Sequence, residues 1–369
     1  MAGFVIENVA IKGISCAVPK NRIETKSFYD KFTKEYVDSF METTGVRESH
    51  RSEEAQTASD LCFVAADNLI REKGIDRAEI GLLVFVTQTP DYRLPATACV
   101  LHKRLGLEKS CLAFDVNLGC SGFVYGVSIV GSMMNSMGID CAMLLNGDTC
   151  TKTNSPEDKS EYMLFGDAGT ATLLVRDGSS MIDGELLTDG EGFKAIIMPS
   201  GAYRNRHGSH ERTMWGDGNI RSDYDGYING TDVFSFTISQ VPKMINRMMR
   251  ENESTPENYD ALVLHQANQM IHKQIARKTK FPMEKIPVSI DRYGNTSSAS
   301  IPLTLCDAYG MSESDDLNRA KGDNKLHLLM CGYGIGLSWG VIDTFISPDD
   351  ILPIVETSDY YTEGGVSHD

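Results

Sequence analysis

Basic residues are the scarce class in this chain. Lys and Arg number 35 against 51 Asp and Glu, a formal net charge of −16 at pH 7. Nonspecific nucleic-acid binding requires basic surface to neutralise phosphates, so that class of partner is excluded. No apolar run is long enough to cross a bilayer, which argues against a membrane protein. The start, MAGFVIENVAIKGISCAVPK, has no charged segment ahead of an unbroken apolar stretch. Glu7 and Lys12 interrupt it, so it reads as a strand and not as a signal peptide. None of the nine cysteines forms a CxxC pair, which argues against a zinc site and for reduced thiols in a cytoplasm. His207 and His210, in RHGSH, lack Cys or acidic neighbours at metal spacing, so no metal is expected there.

The 369 residues, 41% hydrophobic and 23% charged, are enough for one large domain or two. Apolar β-branched runs alternate with helical patterns. IGLLVFVTQ (80–88), CAMLLNGD (141–148), ATLLV (171–175), YDALVLH (259–265) and KLHLLMCGYG (325–334) read as buried strands. Segments 59–74, 121–138 and 230–251 read as helices between them, which implies an α/β architecture. The stretch 200–228 is polar, Gly-rich and locally basic, and is expected to be a long loop. The acidic tail from Pro348 onward is expected to be peripheral or partly disordered.

Chemistry concentrates at Cys120. It follows the β-rich run AFDVN and precedes a small-residue segment suited to a buried helix. A thiol near a helix N-terminus is expected to favour the thiolate. LVLHQANQMI (262–271) places His265 at the end of an apolar strand, and DRYGNTSSASIP (291–302) places Asn295 after a Gly turn. Cys, His and Asn in that order suggest a thiol enzyme that transfers acyl groups. GYGIGLSWG (332–340) contains GxGxG, but a dinucleotide fingerprint would open a βαβ unit with an acidic residue about 20 positions on. This one lies near the chain end and runs into strand-like sequence, so no nicotinamide cofactor is expected.

The stretches TGVRESHR (44–51), FDVNLGCSGFVYG (114–126), FGDAGTATLL (165–174), HQAN (265–268), DRYGNTSSASIP and GYGIGLSWG resemble β-ketoacyl-acyl-carrier-protein synthase III, a condensing enzyme of the thiolase superfamily, in the family's order. The resemblance implies a five-layered α-β-α-β-α sandwich of two pseudo-duplicated halves. The halves are placed at 1–178, carrying the Cys, and 179–347, carrying His and Asn, with 348–369 as an acidic tail. The implied chemistry is a decarboxylative Claisen condensation. Cys120 would be nucleophile and acyl carrier, with His265 and Asn295 stabilising the enolate. The N–H of Cys120 and the Gly334-Ile335-Gly336 turn would form a second oxyanion site, although the family usually has an unbroken Gly run where Ile335 stands. Tyr333 and Leu94 are assigned to the substrate pocket, Leu94 at the position from which a dimer partner usually closes it with Phe. The implied partners are an acyl carrier protein, CoA thioesters and a second copy of the chain, with no bound cofactor.

The departures from the family concern substrate. Members that use acetyl-CoA hold adenine between a Trp and an Arg just before TGxRE, where this chain has Ser39 and Thr43. Met270 and Ser235 stand where many members are basic. Lys159, Arg277 and Lys278 keep basic character, and Arg204 and Arg206 offer further carrier or CoA contacts. Two other readings stay open: acyl transfer from Cys120 to an oxygen or nitrogen nucleophile, and a noncatalytic acyl-carrier-binding protein. A hydroxymethylglutaryl-CoA-type synthase fits less well, because TQTPDY (87–92) offers no clear glutamate base.

Overall fold

The computed structural model describes residues 3–310 and 325–364. The patterned segments take the conformations their periodicity predicts. Leu82–Val86, Cys141–Asp148, Ala261–Leu264 and Leu326–Gly334 are strands, and Ala58–Lys73, Gly122–Met137 and Gly230–Glu251 are helices. Two long strands, Gly3–Pro19 and Ala168–Thr188, pair antiparallel along most of their length and join two wings of sheet. On one wing Cys141–Asp148 pairs with the first part of Ala168–Thr188, followed by the parallel strands Leu82–Val86 and Leu112–Val116. On the other, Ser338–Ile346 pairs with the last part, followed by Leu326–Gly334 and Ala261–Leu264.

Strand alternation converts these wings into layers. Leu82, Val84, Val86 and Leu144 face a central core shared with Val124, Val127, Ile301 and Leu305. Leu83, Phe85, Met143 and Leu145 face an outer core with Ala65, Leu69 and Leu101. On the second wing Val263, Leu328 and Met330 face the centre, while Leu262, Leu264, Leu329 and Cys331 face Val241, Met244, Ile271 and Ile275. The result is helix, sheet, helix, sheet, helix. Each large apolar side chain fully buried in this way contributes roughly 1.5–3 kcal/mol.

Two segments differ from their expected form. Asp177-Gly178-Ser179-Ser180, read as a turn between halves, lies inside Ala168–Thr188, where the ladder shifts register between Glu7 and Val9. The Asp177 carboxylate accepts the Ser179 and Ser180 N–H groups at 3.1 and 2.8 Å, so the excursion satisfies its own donors and the strand resumes. We propose the seam between residues 1–178 and 179–347 at this irregularity. The tail is also tied down further than expected. Val355–Thr357 pairs in parallel with Ala17–Pro19, and Glu363 meets the buried Arg104 at 2.6 Å.

The loop 200–228 is pinned by two short ladders, Thr213–Met214 with Ile220–Arg221 and Ile196–Ile197 with Tyr227–Ile228. Arg221 is wholly buried and faces Asp158, Glu161 at 3.4 Å and Asp217 at 2.8 Å. Burial, and then the Asp158 carboxylate, push Glu161 up to about 8 despite Arg221. A carboxyl raised above its ordinary 4.5 favours folding at low pH, and that contribution is lost as pH rises through about 8. The melting temperature of the wild type should therefore fall more steeply between these two values than that of Glu161→Gln. Equal slopes in a pH series of thermal melts would contradict a raised Glu161.

Candidate active site

Cys120 sits between the end of the strand Leu112–Val116 and the helix Gly122–Met137, one residue before the helix cap Ser121. The Gly334–Gly336 turn lies directly on it. A Cβ on Gly334 would stand 2.6 Å from Cys120 Cβ and 2.9 Å from Sγ, so only glycine admits this approach. The Ile335 N–H is directed at the thiol, as is the Ser297 hydroxyl. Burial is nevertheless the largest influence and pushes the thiol up to about 11, with Asp148 adding to it. The expected resting thiolate is thus corrected: desolvation outweighs the helix terminus and both hydrogen bonds.

Ser297 gathers the three candidate residues. Its N–H donates to Asn295 Oδ1 at 2.9 Å, its hydroxyl faces Cys120, and its backbone bonds the His265 side chain. Its φ of 51° lies in the left-handed region, a strained conformation for a residue other than glycine. Asn295 is placed by strand-like pairing with Phe165: its N–H donates to Leu164 O at 2.9 Å, and Gly166 N–H donates to Asn295 O at 3.1 Å. Gly166 is required there, because a Cβ would fall 1.9 Å from Tyr293 O. With Oδ1 engaged by Ser297, the Asn295 NH2 is the end left for another acceptor.

His265 follows the strand Ala261–Leu264 and is buried, with Nδ1 2.7 Å from Ser300 Oγ. Burial, then the neighbouring His272, bring it down to about 3, so it is a neutral imidazole at physiological pH. Asn268 caps the helix Gln269–Thr279 by accepting the Ile271 N–H at 2.8 Å. A partly exposed thiol, a neutral imidazole and a carboxamide thus line one site, with the Cys120 and Ile335 N–H groups directed at the sulfur.

The family model for the C-terminal part of 3-oxoacyl-[acyl-carrier-protein (ACP)] synthase III matches residues 249–342, and that for 3-oxoacyl-[acyl-carrier-protein (ACP)] synthase III matches 114–190. The β-ketoacyl-[acyl-carrier-protein] synthase III of Xanthomonas campestris is 33% identical over 302 residues, covering 80% of this chain and 86% of the relative. That of Clostridioides difficile is 31% identical over 318 residues, covering 85% and 92%. The chain belongs to the synthase III family. The crystal structure of a 3-oxoacyl-(acyl-carrier protein) synthase from Burkholderia xenovorans superposes with a TM-score of 0.87 at 33% identity, over 96% of this chain and 99% of that one. The thiolase-like layering described above is therefore this family's fold.

The remaining candidates fall into different places in this synthase III fold. Tyr333, expected in the pocket, is wholly buried in the outer core and donates its hydroxyl to the His265 carbonyl at 3.0 Å. Leu94 is 75% exposed on a surface loop whose Arg93 donates to Gly201 O. Lys159 lies 5.4 Å from the Tyr36 ring, and Arg206 lies 5.8 Å from the Tyr203 ring. Arg204 is exposed on the same loop as Arg206. Arg277 and Lys278 occupy the last turn of Gln269–Thr279, with Lys278 bound to Ile238 O at 2.7 Å. These five do not form one cluster with the thiol.

Four polar or thiol side chains around the site escaped sequence reasoning. Asp148 accepts Gln88 N–H at 2.7 Å and the Ser298 hydroxyl at 2.8 Å, and burial raises its carboxyl. Cys150 shares the Ser297 hydroxyl with Cys120. Ser298 and Ser300 stand in the motif DRYGNTSSASIP, where nothing in their spacing marks them as partners of Asp148 and His265. With the thiol near 11, four units above neutral, iodoacetamide should alkylate Cys120 on the order of a hundred-fold more slowly at pH 7 than a free cysteine. The rate should still be climbing at pH above the ordinary 9, and a plateau below that value would show a resting thiolate.

Proposed function

We propose that this protein is a condensing enzyme of the synthase III type, joining an acyl thioester to a malonyl thioester with loss of carbon dioxide, in fatty-acid or related lipid or polyketide synthesis. The observation that carries the reading is the convergence of Cys120, His265 and Asn295 on Ser297 in one desolvated site of a synthase III chain.

In the first half-reaction Cys120 Sγ attacks the thioester carbonyl. The oxygen of the tetrahedral adduct meets the N–H groups of Cys120 and Ile335, the C–S bond to the donor breaks, and the thiol proton leaves with the released thiol. In the second, the malonyl carboxylate leaves as carbon dioxide and its electron pair becomes an enolate. A Ser300 hydroxyl donating to His265 Nδ1 leaves the proton on Nε2, where the enolate oxygen takes the place of the Ser297 backbone as acceptor. That N–H and the Asn295 NH2 then bind the enolate oxygen. The enolate carbon attacks the acyl carbonyl on Cys120, the C–S bond breaks, and the sulfur takes a proton from solvent. Neutral donors suit this step, since a carboxylate in either place would repel the enolate.

Acyl-CoA or an acyl carrier protein would deliver the substrates, and no resident cofactor is needed by this chemistry. Gly45 of the TGVRE motif lies against Gln269 at the start of the helix after His265, which supports an entrance between them. Lys159 with Tyr36 offers a cation and a ring where the family's Trp and Arg are missing. A cytoplasmic homodimer is supported by the nine unpaired thiols and by the exposed Leu94. It is supported too by the partly exposed strand Leu112–Val116, which ends one side of the sheet.

Intact-protein mass spectrometry with acyl-CoA and acyl-carrier donors tests the scheme. An acyl adduct should form on the wild type, be absent from Cys120→Ala, and be discharged by malonyl-carrier with carbon dioxide release. Asn295→Asp should acylate normally yet lose on the order of 10²–10³-fold in decarboxylation. An adduct that malonyl-carrier never discharges would replace condensation with transfer to an oxygen or nitrogen nucleophile.

A further inference from the structure

The His265 backbone carbonyl is a meeting point of three hydrogen bonds near the candidate site. It accepts the Ala267 N–H at 3.0 Å, the Tyr333 hydroxyl at 3.0 Å and His272 Nε2 at 3.1 Å. Three donors on one oxygen exceed its two lone pairs, so the peptide is held from several sides at once. The two side-chain donors come from different elements. His272 is on the helix Gln269–Thr279, and Tyr333 is on the strand Leu326–Gly334. Both are buried, at 0% and 1% exposure.

We infer that His272 and Tyr333 are positioning residues, clamping the His265 carbonyl so that its imidazole is presented to the malonyl thioester. The assignment rests on the condensing reading above. Three features support it. First, Nε2 of His272 must carry a proton to bond a carbonyl, which leaves Nδ1 as a bare acceptor. That Nδ1 is buried and meets no partner among the described residues. An apolar side chain of similar size would avoid this cost, so the imidazole is worth having there only for the bond its other nitrogen makes. Second, the Tyr333 hydroxyl is the polar end of a side chain otherwise packed among Leu264, Cys331 and Trp339. Third, Tyr333 immediately precedes Gly334, which lies against Cys120. The same side chain therefore ties the position of His265 to the turn that carries the Ile335 donor.

A clamp of this kind acts through geometry. It fixes the backbone of His265 on one side while Ser300 fixes its ring on the other. Loosening it should harm the step that needs the His265 N–H and spare the step that does not. The test measures the two half-reactions separately in His272→Leu, His272→Gln, Tyr333→Phe and the double variant His272→Leu/Tyr333→Phe. Acylation is followed by mass spectrometry and malonyl-carrier decarboxylation by carbon dioxide release. His265→Ala serves as the reference for complete loss.

Expected are a roughly ten-fold lower decarboxylation kcat in H272L and Y333F, a larger loss in the double variant, and KM and acylation within about twofold of wild type. H272Q keeps an N–H near the place of Nε2 and should recover most of the loss. Tyr333→Phe preserves the ring and its packing, so it reports on the bond even where His272→Leu is poorly folded. Unchanged decarboxylation in Y333F and the folded His272 variants would overturn the clamp. So would a parallel fall in acylation and decarboxylation, which marks a role in stability alone. A wild type that acylates but never releases carbon dioxide overturns the condensing reading, and this assignment with it.

Discussion

The site depends on one backbone conformation, the left-handed turn at Ser297. A β-carbon makes that conformation unfavourable by about 1–3 kcal/mol, so the surroundings must impose it. They do so through Asn295 Oδ1, which takes the Ser297 N–H, and through the abutment of Phe165-Gly166 on Tyr293-Gly294-Asn295. The turn in return points the Ser297 hydroxyl at Cys120 and brings its backbone to the His265 ring. Three residues separated by up to 175 positions in the chain are thereby linked through a single serine.

Desolvation sets the electrical character of what is assembled there. The thiol is raised, the imidazole is lowered, and the Asp148 carboxyl is raised, each with burial as the leading cause. Charge is disfavoured at rest, while fixed N–H dipoles act more strongly than they would in water. This suits a reaction in which negative charge appears only briefly, first on a tetrahedral adduct and then on an enolate. Asp148 fits the same pattern. It is spent on holding Gln88 and Ser298 in place, which braces the wall behind the nucleophile.

Much of this molecule was legible in its letters. Period-two and period-3.6 patterns located the main strands and helices within a few residues, because buried sheets need apolar side chains on both faces. The motifs around Cys120, His265 and Asn295 carried the family and the candidate chemistry. Less legible was anything set by a partner remote in sequence. Asp177–Ser180 has turn composition and makes no ladder pairs, yet the strand runs on because Gly3–Pro19 pairs with both of its flanks. The acidic tail looks dispensable until Arg104 and the strand edge at Ala17–Pro19 are seen to receive it.

The sequence by itself determined the layered α/β class, the identity of the thiol, imidazole and carboxamide, and the family to which they belong. These follow from side-chain chemistry and local periodicity, which are written residue by residue. Tertiary structure alone decided that Cys120 rests as a thiol, that Ser297 links the three groups, and that the Tyr333 hydroxyl meets the His265 carbonyl. Those outcomes depend on how much water is excluded and on which distant atoms lie within about 3 Å, the reach of a hydrogen bond. Neither quantity exists until the two wings of the sheet have closed around the central helices.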